Sequence, residues 1–211
     1  MPKNDEPRPP KGLTKAQKNN RVKFLKVAEE KFTQYGFKKT TIEDICQSAG
    51  LSKPTFYSLF KNKVDLLSQT FVHVSDSLIL EWHSKLSENA TAREKLQSLL
   101  EYYEQVIVRR EIFTIILEDP ETMQTIPNFF HDMEQHPIFG CFRDIIAQGI
   151  KNGEFNVKEP DAAIWMIYSI LDGIYLLYPM MTGNKGALEN KKFAQEARDF
   201  IFKGLGVQND G

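Results

Sequence analysis

Thr40-Thr41-Ile42-Glu43-Asp44-Ile45-Cys46-Gln47-Ser48-Ala49-Gly50-Leu51-Ser52-Lys53-Pro54-Thr55-Phe56-Tyr57-Ser58-Leu59-Phe60 is the stretch on which the fold turns. Thr40-x-x-Glu43 reads as a capping box, hydroxyl and carboxylate each closing on the other's amide, and it opens a short helix with Ile42, Ile45 and Cys46 inward. Ala49-Gly50-Leu51 breaks that helix, with glycine where a positive φ is useful. Ser52 then caps a second helix carrying Phe56, Tyr57 and Phe60. Two short helices joined by a three-residue glycine turn make a helix-turn-helix unit. The second helix of such a unit lies in the major groove of DNA, its first turn facing the base edges.

The flanks extend the helical pattern. Upstream, Thr14-x-x-Gln17 is another capping box, and the helix behind it sets Val22, Leu25, Ala28, Phe32 and Tyr35 on one stripe. Gly36 ends it in a left-handed conformation. Downstream, Asn62 caps a longer helix with Leu66, Leu67, Phe71, Val74, Leu78 and Trp82. Further helices are expected at 92–113, in part of 120–134, and at 137–152, 160–178 and 188–203, punctuated by Pro120, Pro127, Pro137, Gly153, Pro160 and Pro179. Period-2 alternation is absent, so the fold class is all-α. The domains read as a flexible arm 1–12 with four prolines, a helix-turn-helix domain 13–67, a larger helical domain 68–204 and a flexible tail 205–211.

The formal charge of −1 conceals a split. Residues 1–67 hold 14 Lys+Arg against 7 Asp+Glu, whereas residues 68–211 hold 13 against 21. A basic N-terminal third on an acidic remainder points to an anionic partner docking at one end. In the first turn of the second helix, Ser52-Lys53-Pro54-Thr55, Lys53 can reach phosphate or a guanine edge, and Thr55 can bond a base edge or offer its methyl to thymine. Tyr57 and Ser58 carry hydroxyls suited to phosphate. Thr41 offers a hydroxyl and free amides at a helix N-terminus. Lys63 holds the other side of the groove.

The pattern Arg21…Ala28…Phe32…Gly36-Phe37…Thr40-Thr41-Ile42…Ile45…Ala49-Gly50-Leu51-Ser52…Thr55-Phe56-Tyr57…Phe60-Lys61…Lys63…Leu66-Leu67 resembles the N-terminal domain of the tetracycline-repressor (TetR) family. Gly149-Ile150-Lys151-Asn152-Gly153-Glu154-Phe155 and Leu171-Asp172-Gly173 resemble, more weakly, pieces of that family's C-terminal domain. The resemblance implies about nine helices, a homodimer, an effector pocket in the C-terminal domain, and repression of a double-stranded DNA operator released by a small molecule. It places Thr41, Lys53, Thr55, Tyr57 and Lys63 where the family contacts DNA. The chain departs from it at Pro54, where a small residue is usual, and at Leu59, where histidine is frequent.

The helix from Pro160 to Tyr178 is apolar nearly all round and needs cover on both sides. Ile167, Ile170, Leu171 and Ile174, with Phe193, Ala197, Phe200 and Ile201 from the last helix, are the expected dimer interface. Trp82, Tyr103, Phe113, Phe130, Phe142, Trp165 and Tyr168 are the expected lining of a pocket for a mainly apolar or aromatic effector, with Arg109, Arg110, Glu118 and Asp172 as its polar groups.

Other classes fit worse. Cys46 and Cys141 lack disulfide or zinc spacing and sit in apolar helical contexts. His131 and His136, five apart across the break at Pro137, do not share a helical face, so no metal is expected. No nucleophile elbow, phosphate-cradling glycine loop or H-E-x-x-H is present, so neither an enzyme nor a cofactor is expected. Residues 1–7 carry no apolar stretch, and the run Ala162–Tyr178 contains Asp172 and is too short for a span, so no membrane role is expected and the cytoplasm fits.

Overall fold

A computed structural model of the protein describes residues 12–106, 112, 137–183 and 190–207. All regular structure among them is helical: α1 Lys15–Tyr35, α2 Ile42–Ala49, α3 Lys53–Tyr57, α4 Lys63–Lys85, α5 Ala92–Gln105, α6 Pro137–Lys151, α7 Pro160–Asp172, a π-helical turn Gly173–Leu177, α8 Tyr178–Thr182 and α9 Lys191–Gly204. The described residues fall into two compact units, one up to Val74 and one from Ser75, so α4 begins in the first and ends in the second.

The first unit is held by aromatic residues from α1, α3 and the turn that follows α3. Phe24 meets Phe56 edge-on at 5.5 Å and Phe60 at 5.9 Å, and all three are buried. The buried face of α1 is Phe24, Leu25, Ala28 and Phe32. Val22 and Tyr35, expected on that stripe, are exposed instead, because the inward face is centred on Phe24. Thr14 and Gln17 form the expected box. Gly36 has φ 79 and ψ 161, a region open essentially to glycine alone, rather than the expected left-handed helical conformation.

The box that opens α2 is shifted by one residue from the expected one. Thr41, not Thr40, is the N-cap, and Asp44, not Glu43, returns the bond. Thr40 is buried, its hydroxyl donating to the carbonyls of Gly36 (2.9 Å) and Lys31 (3.2 Å), so it belongs to the core. Gly50 closes α2 in the left-handed conformation, φ 59 and ψ 37, which bends the chain into α3. Asn62 caps α4 as expected, its Oδ1 accepting from the Asp65 amide at 2.9 Å.

In the second unit, α5 ends at Gln105, and of the rest of the expected 92–113 helix Val106 and Ile112 alone lie among the described residues. Its first turn gains a remote cap: Glu154, in the turn after α6, accepts from the amides of Arg93 (2.9 Å) and Ala92 (3.2 Å). The Pro160 helix does not end before Pro179. It widens into the π-helical turn, where the Tyr178 amide reaches back to the Gly173 carbonyl, and resumes as α8 with Pro179 in its first turn. A proline there has no amide to lose and no carbonyl to strike. Leu205, placed by sequence in the tail, is buried, and its carbonyl accepts from the Asn156 amide. No helix among the described residues is long and apolar enough to cross a membrane.

Candidate nucleic-acid interface and effector region

The first unit presents the N-termini of α2 and α3 together with the first turn of α4. Ser52 caps α3, its Oγ accepting from the Thr55 amide at 3.3 Å and lying 2.8 Å from Thr55 Oγ1. Pro54 takes a first-turn position whose amide has no intrahelical partner in any case, so it costs the helix no bond. Ser52, Lys53, Pro54, Tyr57 and Ser58 are exposed and Thr55 is half-buried. Leu59 is buried and acts as core. The Ser58 hydroxyl donates to the Thr55 carbonyl at 2.7 Å, which ties down the end of this five-residue helix.

Three cationic or hydroxyl groups have intramolecular partners that sequence reasoning did not assign. Thr41 Oγ1 accepts from the Asp44 amide and donates to Asp44 Oδ2 at 2.6 Å, so its hydroxyl is committed to the cap rather than offered free. The hydroxyl's bond, and after it that of the Thr41 amide to the same Oδ2, hold the Asp44 carboxyl below its usual range. Lys63 Nζ donates to the carbonyls of Phe37 (2.8 Å) and Thr40 (2.9 Å) and lies 4.3 Å from the centre of the Phe37 ring. Its partial burial lowers its pKa, and it ties α4 to the loop before α2. Lys53 Nζ pairs with Glu43 Oε1 from the first turn of α2. The one-residue repeat of hydroxyl and acid at Thr40-Thr41 and Glu43-Asp44 was the available clue, since it leaves one of the two acids outside the box.

In the second unit, two of the seven expected pocket residues converge. Tyr103 Oη donates to Asp172 Oδ1 at 2.8 Å, and Tyr168 bonds the same carboxyl. Burial pushes Asp172 up to about 6, against the two hydroxyls that pull it down. Burial and the facing carboxylate raise the pKa of both tyrosines. Trp82 and Phe142 are buried, and Trp82 Nε1 donates to Ser98 Oγ at 3.1 Å. Trp165 is 37% exposed and edge-on to Phe139 at 4.9 Å, so it does not join Trp82 and Phe142 inside. Phe113 and Phe130, like Arg109, Arg110, Glu118, His131 and His136, lie outside the described residues. Cys141 is buried, and burial ahead of the charge of Asp144 pushes its thiol up to about 11, the reverse of a reactive cysteine. No group of three or more metal-ligating side chains is assembled among the described residues.

The expected dimer residues divide. Ile167, Leu171, Ala197 and Ile201 are buried inside their own unit, so they are core, not free surface. Ile170 and Ile174 are half-buried. Phe193 and Phe200 are exposed, as are Trp165, Met166, Leu177, Tyr178 and Met181, which sequence reasoning did not single out as a contact face.

A capped helix, a left-handed glycine turn and an exposed basic first turn define a helix-turn-helix regulator of transcription. The sequence profile of bacterial regulatory proteins of the tetR family matches residues 24–70, and that of the QacR-like protein C-terminal region matches residues 78–206. The chain belongs to the TetR family of DNA-binding transcriptional regulators and is not an enzyme. It is 25% identical over 155 residues to the HTH-type transcriptional repressor KstR2 of Mycolicibacterium smegmatis, covering 72% of this chain and 74% of that one. Among solved structures it resembles RolR in complex with resorcinol (TM-score 0.67, 16% identity, 92% of this chain and 90% of that one). It also resembles the transcriptional regulator FadR of Bacillus subtilis in complex with stearoyl-CoA (TM-score 0.63, 20% identity, 87% and 98%).

Proposed function

We propose that this protein is a repressor that binds a palindromic operator as a homodimer in the cytoplasm and is released by a small, mainly apolar or aromatic effector. The observation that carries the reading is the exposed first turn of α3, where Lys53, Thr55 and Tyr57 are held by a capped helix on a rigid aromatic core. Ser52 and Ser58 flank them as phosphate contacts. Thr41 contributes through the helix end it caps, and Lys63 by fixing the loop before α2 against α4. A smaller unit up to Val74 and a larger one from Ser75 accord with this division of labour.

The effector region is the neighbourhood of Tyr103 and Tyr168, with Asp172 as its polar contact, in the unit that also buries Trp82 and Phe142. The name of KstR2 supports repression, and the resorcinol of RolR and the stearoyl-CoA of FadR support an aromatic or apolar ligand. Because α4 runs from Lys63 to Lys85, through the end of one unit and the start of the other, a ligand that shifts it changes the separation of the two recognition helices. A coupling of ~1–3 kcal/mol gives roughly 5–150-fold loss of operator affinity.

Fluorescence anisotropy on duplex DNA from upstream of the protein's own gene, at salt from 50 to 200 mM, tests the core of this reading. Binding should weaken steeply with salt, and Lys53→Ala should flatten the log–log slope by about one, the share of one phosphate contact. Weak binding with no salt dependence, equal in both proteins, would overturn it.

A further inference from the structure

Residues 36–40 join α1 to α2, and this short stretch is anchored at both ends. Phe37 is buried, its ring 5.5 Å from that of Phe32. Lys63 Nζ holds the carbonyls of Phe37 and Thr40, and the Thr40 hydroxyl donates to those of Gly36 and Lys31. Lys39 stands inside this frame. Its side chain is exposed and has no hydrogen bond or ion pair among the described residues.

Lys39 also lines an open groove of about 300 Å³ between α1 and α2, together with Lys31, Tyr35, Gln47 and Ser48. Asp44 is the acid in that lining, and its carboxylate is taken up by the hydroxyl and amide of Thr41. Lys31 Nζ lies 5.1 Å from the centre of the Tyr35 ring. Lys39 is therefore the cation of this groove that is left to meet an outside anion.

The groove continues the face that α3 presents. Glu43 in the first turn of α2 pairs with Lys53 at the first position of α3, so the two helix N-termini are neighbours, and Lys39 lies two residues before the α2 cap. The other phosphate candidates at this end are largely spent. The Thr41 hydroxyl is engaged in the cap, and Lys63, half-buried, gives two of its three donors to carbonyls. A DNA strand passing α2 is held by cations on its phosphates, and Lys39 is placed to supply one. Its backbone is already fixed, so only the side chain has to be ordered on contact, which keeps the cost of binding low.

We propose that Lys39 is a phosphate-contact residue, so that the DNA footprint extends from α3 past the N-terminus of α2 to the edge of the α1–α2 groove. The proposal rests on the reading that α3 docks on DNA. A phosphate contact weakens all duplexes alike and carries its own share of the salt slope, which a merely structural residue does not.

The test is anisotropy from 50 to 200 mM salt on two labelled probes, a random-sequence duplex and the duplex the protein selects from a random pool. Wild type, Lys39→Ala, Lys39→Arg and Lys53→Ala are compared, after circular dichroism shows equal helix content and equal melting. Lys39→Ala should weaken both probes by the same factor, on the order of fivefold at 100 mM salt, and flatten both slopes by about one. Lys39→Arg should bind as wild type does. Replacing single phosphates of the selected duplex by neutral methylphosphonates locates the contact: at one phosphate in each half-site the replacement should weaken wild type and Lys53→Ala but leave Lys39→Ala unchanged. A Lys39→Ala slope equal to that of wild type, or no phosphate whose neutralisation is masked by that variant, overturns the proposal. A wild type that shows no salt-dependent duplex binding overturns this proposal and the functional reading together; a slope that Lys53→Ala flattens and Lys39→Ala does not overturns this one alone.

Discussion

Asp172 is the residue whose environment is most at odds with its chemistry. Two tyrosine hydroxyls bond its carboxyl, yet burial outweighs them and its pKa rises to about 6. A folded-state pKa above the unfolded one means the protonated form is favoured in the fold. That stability is fully present below about pH 4 and is lost as pH rises through 6. At about 1.4 kcal/mol per pKa unit, the loss is on the order of a few kcal/mol by pH 7. Asp172→Asn keeps an acceptor for the hydroxyls and removes the titration. Thermal unfolding at pH 4.5, 6 and 7.5 should show the wild type losing stability relative to this variant as pH rises, with the variant equal or more stable at pH 7.5. The depressed carboxyls, Asp44 and Glu154, act in the opposite sense and are common to both proteins, so the difference isolates Asp172. Parallel curves for the two proteins would refute the assignment.

At the scale of elements, the turn from α6 to Phe155 shows how tightly a short motif can be constrained. A Cβ built on Gly149 would overlap the Phe155 ring, and the Gly149 carbonyl accepts from the amides of Glu154 and Phe155. Phe155 is itself buried and the carbonyl bonds hold it in place, so the ring has little room to retreat. Gly149→Ala should therefore cost roughly 1–3 kcal/mol, the usual cost of overpacking, read as a drop in the urea midpoint. Adding Phe155→Leu should recover part of it, and a midpoint unchanged by Gly149→Ala would show that the ring moves aside freely.

The same scale shows what the sequence made legible. Hydroxyl-x-x-acid spacing located the start of α2, and glycine located its end, because both are local rules. It did not settle which of two adjacent threonines caps, since Glu43 and Asp44 offer each the same partner; the burial of Thr40 decides that, and burial is a tertiary fact. The helix through Pro179 was misjudged for the same reason, because a π-turn relieves the proline only where packing holds the wider turn in place. The Glu43–Lys53 pair spans a turn and obeys no helical period. The site was legible where one turn of helix carries it, at Ser52 to Ser58, and illegible where several elements must converge, as at Asp172. An apolar helix such as α7 announces that it is covered, but not which of its residues are covered by its own chain.

That last distinction becomes decisive for the whole molecule. With Ile167, Leu171, Ala197 and Ile201 consumed by the core, the apolar surface left on α7, α8 and α9 includes Met166, Met181 and Phe200, exposed at 64%, 79% and 67%. Large apolar side chains left exposed on consecutive elements mark a contact surface more than a solvated one. A two-fold axis would place each such surface against its own copy, and the resulting pair of α3 helices, one DNA turn or ~34–36 Å apart, would read a palindrome. Met166→Glu combined with Phe200→Glu should leave circular dichroism unchanged, because neither side chain is buried in its own unit, while setting like charges across the interface. Sedimentation equilibrium should then find one chain where the wild type gives two. Affinity for a full palindrome should fall by about 100-fold or more, as linked half-site binding is lost, with half-site affinity unaltered. A wild type that sediments as a single chain at micromolar concentration would refute the dimer. A double variant that remains paired would place the interface on another face, and the two glutamates would then merely decorate an ordinary surface.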